Sequence, residues 1–355
     1  ASLAVWEQSR RRASEEEEGG GGGFPCEYTA LNLNCGCPSP KVAGKGCFGA
    51  ALMDDPILVR ECVRAMRDGS GGTLPVTVKC RIGTDASLGL ERFTREGYGA
   101  IEDGREYSKL REFVETVASD GIATDFQIHA RIAVLTKSFS PADNRKVPPL
   151  KYEYVRRLTE DYPELTFSLN GGIETLYRAR EELERCPTLA GIMVGRGMAA
   201  DPWGFACADE VLYAGNGAGA DADDEVGDDR PKNRLELLES YGRHADHEES
   251  IKDPIYIRRF VAKAVSPLFA GEPNAKKFRI ALDRIGGLPK QLRNGGSNNS
   301  KKSGATEGAE WIPGVGLDGQ TKVSELILNA AHEHLSDEVL RSTPREGWER
   351  RQWEE

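Results

Sequence analysis

The segment Asn34-Cys35-Gly36-Cys37-Pro38 closes a short apolar run, Leu31 and Leu33, and opens a glycine-rich stretch that leads to Gly49-Ala50 and Leu52-Met53. A strand core has no packing use for such an ending. It suits a reactive thiol held over a ligand at a strand's C-terminal edge, where cysteine serves as nucleophile or proton donor. Four later strand ends carry residues equally unsuited to packing. Lys79 and Arg81 close Val76-Thr77-Val78-Lys79-Cys80-Arg81, and His129 and Arg131 close Ile128-His129-Ala130-Arg131. Asn170-Gly171-Gly172 and Gly195-Arg196 close the remaining two. Glycine lets backbone N–H groups approach a phosphate closely, and the guanidinium of Arg196 is a fork-shaped phosphate ligand. Each feature alone has an ordinary reading: a surface lysine, a structural histidine, a common Gly-Gly turn. Cys35 and Cys37 lack a second pair or a histidine at ligand spacing, so a zinc site is not expected. The joint occurrence at five successive strand ends, in chain order, carries more weight than any one of them.

The elements that must position these residues alternate. Strand signals lie at 31–35, 75–80, 125–129, 166–170 and 191–195, with helical patterns at 56–68, 106–119, 151–161 and 174–185 between them. Strands spaced by helices predict parallel βα units, and in a (β/α)8 barrel the active site gathers at the C-terminal edge of the strands. Residues 84–105 read as an inserted loop. From about 233 the pattern is all-helical, at 233–249, 255–268 and 274–286, with a last amphipathic helix over 322–341. The expected organisation is therefore a low-complexity segment at 1–30, a partial barrel at 31–214, an acidic glycine-rich linker at 215–232, a helical domain at 233–290, and a mostly disordered tail at 291–355.

No apolar run approaches the roughly 20 residues of a membrane-spanning helix, and no signal-peptide pattern opens the chain. Eight irregularly spaced cysteines in 355 residues do not form a disulfide framework. Reduced thiols in a cytosolic or organellar (mitochondrial or chloroplast) compartment, and a monomer, are expected. The net charge of −10 argues against a polyanionic partner, but its distribution reverses the argument. Residues 255–302 hold eleven Lys/Arg against Glu272 and Asp283, a local net of +9. Such asymmetry suggests a polyanion-binding module.

These motifs resemble one family. Asn34-Cys35-Gly36-Cys37-Pro38-Ser39, Val78-Lys79-x-Arg81-Ile82-Gly83, Ile128-His129-Ala130-Arg131, Asn170-Gly171-Gly172-Ile173 and Val194-Gly195-Arg196 are similar, in order, to blocks of the tRNA-dihydrouridine synthases. Ser140-Pro141, Asn144-Arg145 and Pro148-Pro149-Leu150 resemble the A-type branch, which reduces uridines 20 and 20a of the tRNA D-loop. The resemblance implies FMN in a TIM-type barrel, NADPH as reductant, tRNA as partner through a helical domain, and Cys37 as the acid that protonates uracil C5. It implies Lys79 and His129 against the flavin or its ribityl chain, and Asn170, Gly171, Gly172, Gly195 and Arg196 around its phosphate. Asn34 and Arg131 would face the flipped uridine, and Arg145, Lys276 and Arg279 would orient the tRNA. A family strand bearing an Ala-Pro-Met-Met-like contact and a later glutamine to the flavin have no match here, and Ala142 replaces an expected basic tRNA contact. The first three βα units are thus expected to be missing, leaving about five strands and weak FMN retention. A flavin-dependent reductase of free pyrimidines and a non-catalytic tRNA-binding remnant are the alternatives.

Overall fold

The computed structural model describes residues 28–44, 48–86, 105–136, 139–213, 231–252, 254–286 and 321–351. The low-complexity residues 1–23, nearly all of the expected insertion at 84–105, the acidic linker 215–229 and the segment 291–320 lie outside the described residues. The described chain divides into two units, one formed by residues 1–173 with 181–194, the other by 174–180 with 195–355.

The first unit is built on five parallel strands: β1 Leu31–Cys35, β2 Val76–Arg81, β3 Asp125–His129, β4 Thr166–Asn170 and β5 Gly191–Met193. Their order in the sheet is their order in the chain. That sequential parallel winding belongs to a barrel; a doubly wound sheet reverses direction at a switch point. The fold is therefore an incomplete (β/α) barrel. Among the helices that follow the strands, α1 spans Pro56–Gly69, α2 Arg105–Ala118, the short α3 Asp143–Lys146, α4 Tyr152–Asp161 and α5 Leu176–Arg185. Helix α1 starts where Asp55 accepts from the Leu58 N–H at 3.0 Å and Pro56 takes the first turn, a position at which its missing N–H costs nothing.

Every second residue of the first four strands is apolar, and the registers keep these residues in phase. Val78, Cys80, Phe126, Ile128, Phe167 and Leu169 are fully buried and form the core. The opposite face is polar. In one row Asn34 pairs with Lys79, Lys79 with Gln127, and Gln127 with Ser168. In the next, Arg81 pairs with His129, and His129 with Asn170. The five strands fall where the sequence places them, except that β5 ends at Met193 rather than at 195, because the chain turns at Val194-Gly195 into the next helix.

The second unit continues with α6 Arg196–Ala200, a 3-10 turn at Pro202–Phe205, α7 Ala208–Tyr213, α8 Arg234–Ile251, α9 Pro254–Ala264, a second 3-10 turn at Ser266–Phe269, α10 Ala275–Gly286, α11 Val323–His334, α12 Asp337–Arg341 and α13 Pro344–Arg351. Four sequence expectations need correction here. The helix expected to run to 268 ends at Ala264, because Pro267 cannot continue it. The helix expected over 322–341 is two helices, broken where Ser336 caps the second by accepting from the Val339 N–H. The tail expected to be mostly disordered contributes Val323, Leu326, Ile327, Ala330, Ala331, Leu335, Val339 and Leu340 to the unit's core. The division between units falls at Gly195, not within 215–232, because Trp203 packs in the helical core.

Arg234 organises that core. It is 0% exposed, and its guanidinium lies 5.2 Å from the Trp203 ring and 5.0 Å from the Phe269 ring. It pairs with Glu272 at 2.7 Å and donates to the Val339 carbonyl and the Ser342 hydroxyl, both at 3.1 Å. Removing one partner of a buried pair leaves the other charge uncompensated. Arg234→Ala is expected to cost about 3–5 kcal/mol in urea unfolding, with much of the loss recovered by Arg234→Met combined with Glu272→Gln. A cost for Arg234→Ala under about 1 kcal/mol, the net worth of a single ordinary hydrogen bond, would refute this organising role.

Candidate active site at the C-terminal edge of the sheet

The Cys37 loop is fixed from several sides. The Asn34 side-chain carbonyl accepts from the Gly36 N–H at 3.0 Å, and the Gly36 carbonyl accepts from Arg81 Nε at 2.9 Å. The Cys37 carbonyl accepts from the Ala50 N–H at 2.9 Å. Gly49 sits at φ +63°, and a Cβ there would lie 2.6 Å from the Cys37 carbonyl oxygen and 3.1 Å from Cys37 Cβ. Only glycine allows that approach. The two cysteines of the C-x-C pair differ in kind. Cys35 is buried in the apolar face, where burial, with Cys80 and then Cys62 adding, raises its thiol pKa far above the usual range. Cys80 beside it is pushed up to about 12, chiefly by burial. Both are inert packing thiols, whereas Cys37 is half-buried on the loop.

Lys79 and Asn170 meet across the polar face, Nζ to Oδ1 at 3.3 Å, and Asn170 Nδ2 donates to the Met193 carbonyl at 2.6 Å. Asn170 thus joins β2, β4 and β5. Burial lowers the Lys79 pKa; the Cys80 and Cys37 thiols oppose that shift and the Arg81 cation adds to it. His129 packs directly over Gly171, at φ +115°, where a Cβ would lie 2.6 Å from the imidazole. Gly172 follows at φ +68°, and Tyr152 donates its hydroxyl to the Gly171 carbonyl. Two successive left-handed glycines let the backbone here approach the His129, Leu150 and Tyr152 side chains.

The first unit therefore brings Asn34, Cys37, Lys79, His129, Asn170, Gly171 and Gly172 to one edge of one sheet. Arg131 sits beside them but donates to the Pro148 carbonyl, bracing the loop after β3. Arg145 is half-buried on α3. Gly195 and the exposed Arg196 start α6 and belong to the second unit. There Lys276 and Arg279 are exposed on α10, with Lys277 and Arg284 on the same helix and Arg259 and Lys263 on α9. Lys290, Arg293, Lys301 and Lys302 of the basic stretch lie outside the described residues.

The rest of the polar face lies inside the strands, where strand-end spacing does not single it out. Asn32 donates to Thr77 at 2.7 Å and to Gln127 at 2.8 Å, and Gln127 donates to Asp125 at 2.7 Å. The signal was present: each strand alternates, and the polar members share a face. Among the described residues no three His, Cys, Asp or Glu side chains cluster as metal ligands, and no helix is long and apolar enough to cross a membrane.

The sequence profile of the family described as Dihydrouridine synthase (Dus) matches residues 24–294. The chain is 36% identical over 255 residues to the tRNA-dihydrouridine(20/20a) synthase of Salmonella typhimurium, covering 72% of this chain and 65% of that protein. It is 36% identical over 255 residues to the protein of the same name from Escherichia coli K12, covering 72% and 63%. Against that of Pseudomonas syringae pv. tomato the identity is 42% over 187 residues, covering 52% and 48%. The chain thus spans just under two thirds of the length of the first two.

The depressed Lys79 pKa has a signed consequence. The unfolded chain binds this proton more tightly than the folded one, so the lysine weakens folding while charged. That penalty is relieved as pH rises from the lowered folded value towards the ordinary 10.5. Lys79→Met is expected to unfold at or above the parent's temperature at neutral pH, with the difference shrinking as pH approaches 10.5 from below. A variant less stable than the parent at neutral pH would overturn this.

Proposed function

The chain belongs to the dihydrouridine synthase family, and from that premise we propose that it reduces uridine in the tRNA D-loop, at positions 20 and 20a, to 5,6-dihydrouridine. The carrying observation is the Cys37 loop, pinned through Gly36 and Cys37 backbone atoms at the edge that also holds Lys79, His129 and Asn170.

The residues present fit FMN. Lys79 and His129 offer donors along one polar face, matching the carbonyl-bearing edge of a flavin. Gly171 and Gly172 offer backbone N–H groups at the end of β4 to a ribityl phosphate. When bound and reduced by NADPH, FMN supplies a hydride to uracil C6. The chain's own residues do the rest. Asn34 and Arg131 face the base, which must leave its stack to reach the edge. Cys37 gives its thiol proton to C5 and recovers one from water, so that one hydride and one proton saturate the C5–C6 bond. Arg145, Lys276 and Arg279 hold the phosphate backbone. The basic faces of α9 and α10 support a polyanionic substrate in a chain whose net charge is −10.

The test is dihydrouridine formation in unmodified tRNA supplied with FMN and NADPH, read by nucleoside mass spectrometry. Cys37→Ala should lower turnover about 10²–10⁴-fold while tRNA affinity stays within about twofold; an unchanged rate would remove Cys37 from the acid role. Lys276→Ala and Arg279→Ala should each reduce the slope of log affinity against log salt by about 1, uniformly across tRNA sequences. A slope unchanged in both would exclude this helix face from the RNA contact.

A further inference from the structure

Arg81 is a charged residue 3% exposed, in the row of the sheet that also holds His129 and Asn170. Burying a guanidinium is costly unless its donors are used. Its Nε donates to the Gly36 carbonyl at 2.9 Å, and its Nη1 to the Ile132 carbonyl at 2.9 Å and the Asn144 carbonyl at 3.1 Å. These acceptors belong to three segments: the loop that presents Cys37, the loop after β3, and helix α3, which carries Arg145. The acceptors are themselves held. Asn144 exchanges side-chain hydrogen bonds with the backbone of Val134, both at 2.8 Å, and the Asp85 carboxylate accepts from Leu135, Thr136 and the Thr136 hydroxyl. The two post-strand loops also pair directly, Ala133 N–H to the Gly83 carbonyl at 2.8 Å and Asp85 N–H to the Ala133 carbonyl at 3.0 Å. The Gly36 carbonyl, one peptide before the thiol, is thus referenced to a rigid mesh through a single fork.

We propose that Arg81 is a positioning residue for Cys37: it does not touch the substrate, but it fixes the loop that aims the thiol and ties that loop to the helix bearing Arg145. The catalytic consequence rests on the acid role proposed for Cys37; the clamp itself does not. Lysine keeps the charge but has no planar fork, so one ammonium cannot reproduce the directions of all three bonds.

The experiment compares the unaltered chain with Arg81→Lys by the iodoacetamide alkylation rate of each cysteine, mapped by peptide mass spectrometry. Cys62, half-buried on α1 in the same unit, is the internal control. The expected result is a roughly tenfold faster reaction at Cys37 with Cys62, Cys35 and Cys80 unchanged, the signature of local opening rather than global unfolding. Dihydrouridine turnover should fall about 10²-fold in kcat with KM for tRNA retained, as for a group displaced by about an ångström. Equal acceleration at all four cysteines would make Arg81 a general structural residue and overturn the proposal, as would an unchanged Cys37 rate in a folded variant. A loosened Cys37 with unchanged turnover would uphold the clamp and instead overturn the acid role of Cys37. Should Arg81→Lys not fold, hydrogen exchange at the Arg81 Nε–H of the unaltered chain decides: exchange slowed at least about 100-fold supports the bond to Gly36, and unprotected exchange refutes it.

Discussion

The parallel register of β1 to β4 is the constraint on which the site depends. Side chains alternate across a sheet with period two, so a slip of one residue in any pairing exchanges the faces. With Asn34 beside Lys79, and Arg81 beside His129 beside Asn170, the polar members line up and Phe126, Ile128, Phe167 and Leu169 are buried together. A slip in β3 alone would turn Gln127 and His129 into the core and Phe126 and Ile128 out of it. Burial of two large apolar side chains, at about 1.5–3 kcal/mol each, enforces the register. Chemistry on one face is thus secured by packing on the other.

That coupling explains which parts of the architecture the sequence exposes. Periods of two and of three to four are local signals, and the five strands and most helices follow from them. The strand-end residues were legible for the same reason: a lysine, a histidine or an Asn-Gly-Gly closing an apolar run contradicts packing. What stayed hidden depends on contacts distant in sequence. Nothing local distinguishes Cys35 from Cys37, which share one strand parity, and nothing local reveals that Arg81 meets Gly36, 45 positions away. Gly49 looks like one glycine among many until its Cβ position is found against the Cys37 carbonyl. The C-terminal helices lie beyond a Gly/Asn/Ser/Lys-rich stretch, and composition there says nothing of a core completed by Arg234.

The two units place buried arginines under opposite demands. Arg234 answers its burial with a carboxylate, two hydrogen-bond acceptors and two aromatic faces, and it knits the helices of the second unit. Arg81 donates to backbone carbonyls of loops. Carbonyls neutralise a guanidinium less completely than a carboxylate does, but they have no titration of their own and their positions are set by the main chain. A carbonyl fork therefore holds loop geometry constant over a wide pH range, which suits the proton transfer proposed for Cys37.

The same reasoning bears on why the thiol sits on a loop and not on the strand. A cysteine at the last position of β1 points to the core side, as Cys35 does, and its thiol is held protonated by burial. Moving two positions on keeps the thiol on that side by parity unless the chain turns. Asn34 bonding back to the Gly36 N–H and Arg81 drawing in the Gly36 carbonyl make that turn. The proposed acid then stands where solvent can return its proton, while its twin stays sealed below. Asn34, Gly36, Gly49 and Arg81 are thus needed together: they act on three consecutive peptide units, and removing any one returns the loop to the freedom that strand parity alone would leave it.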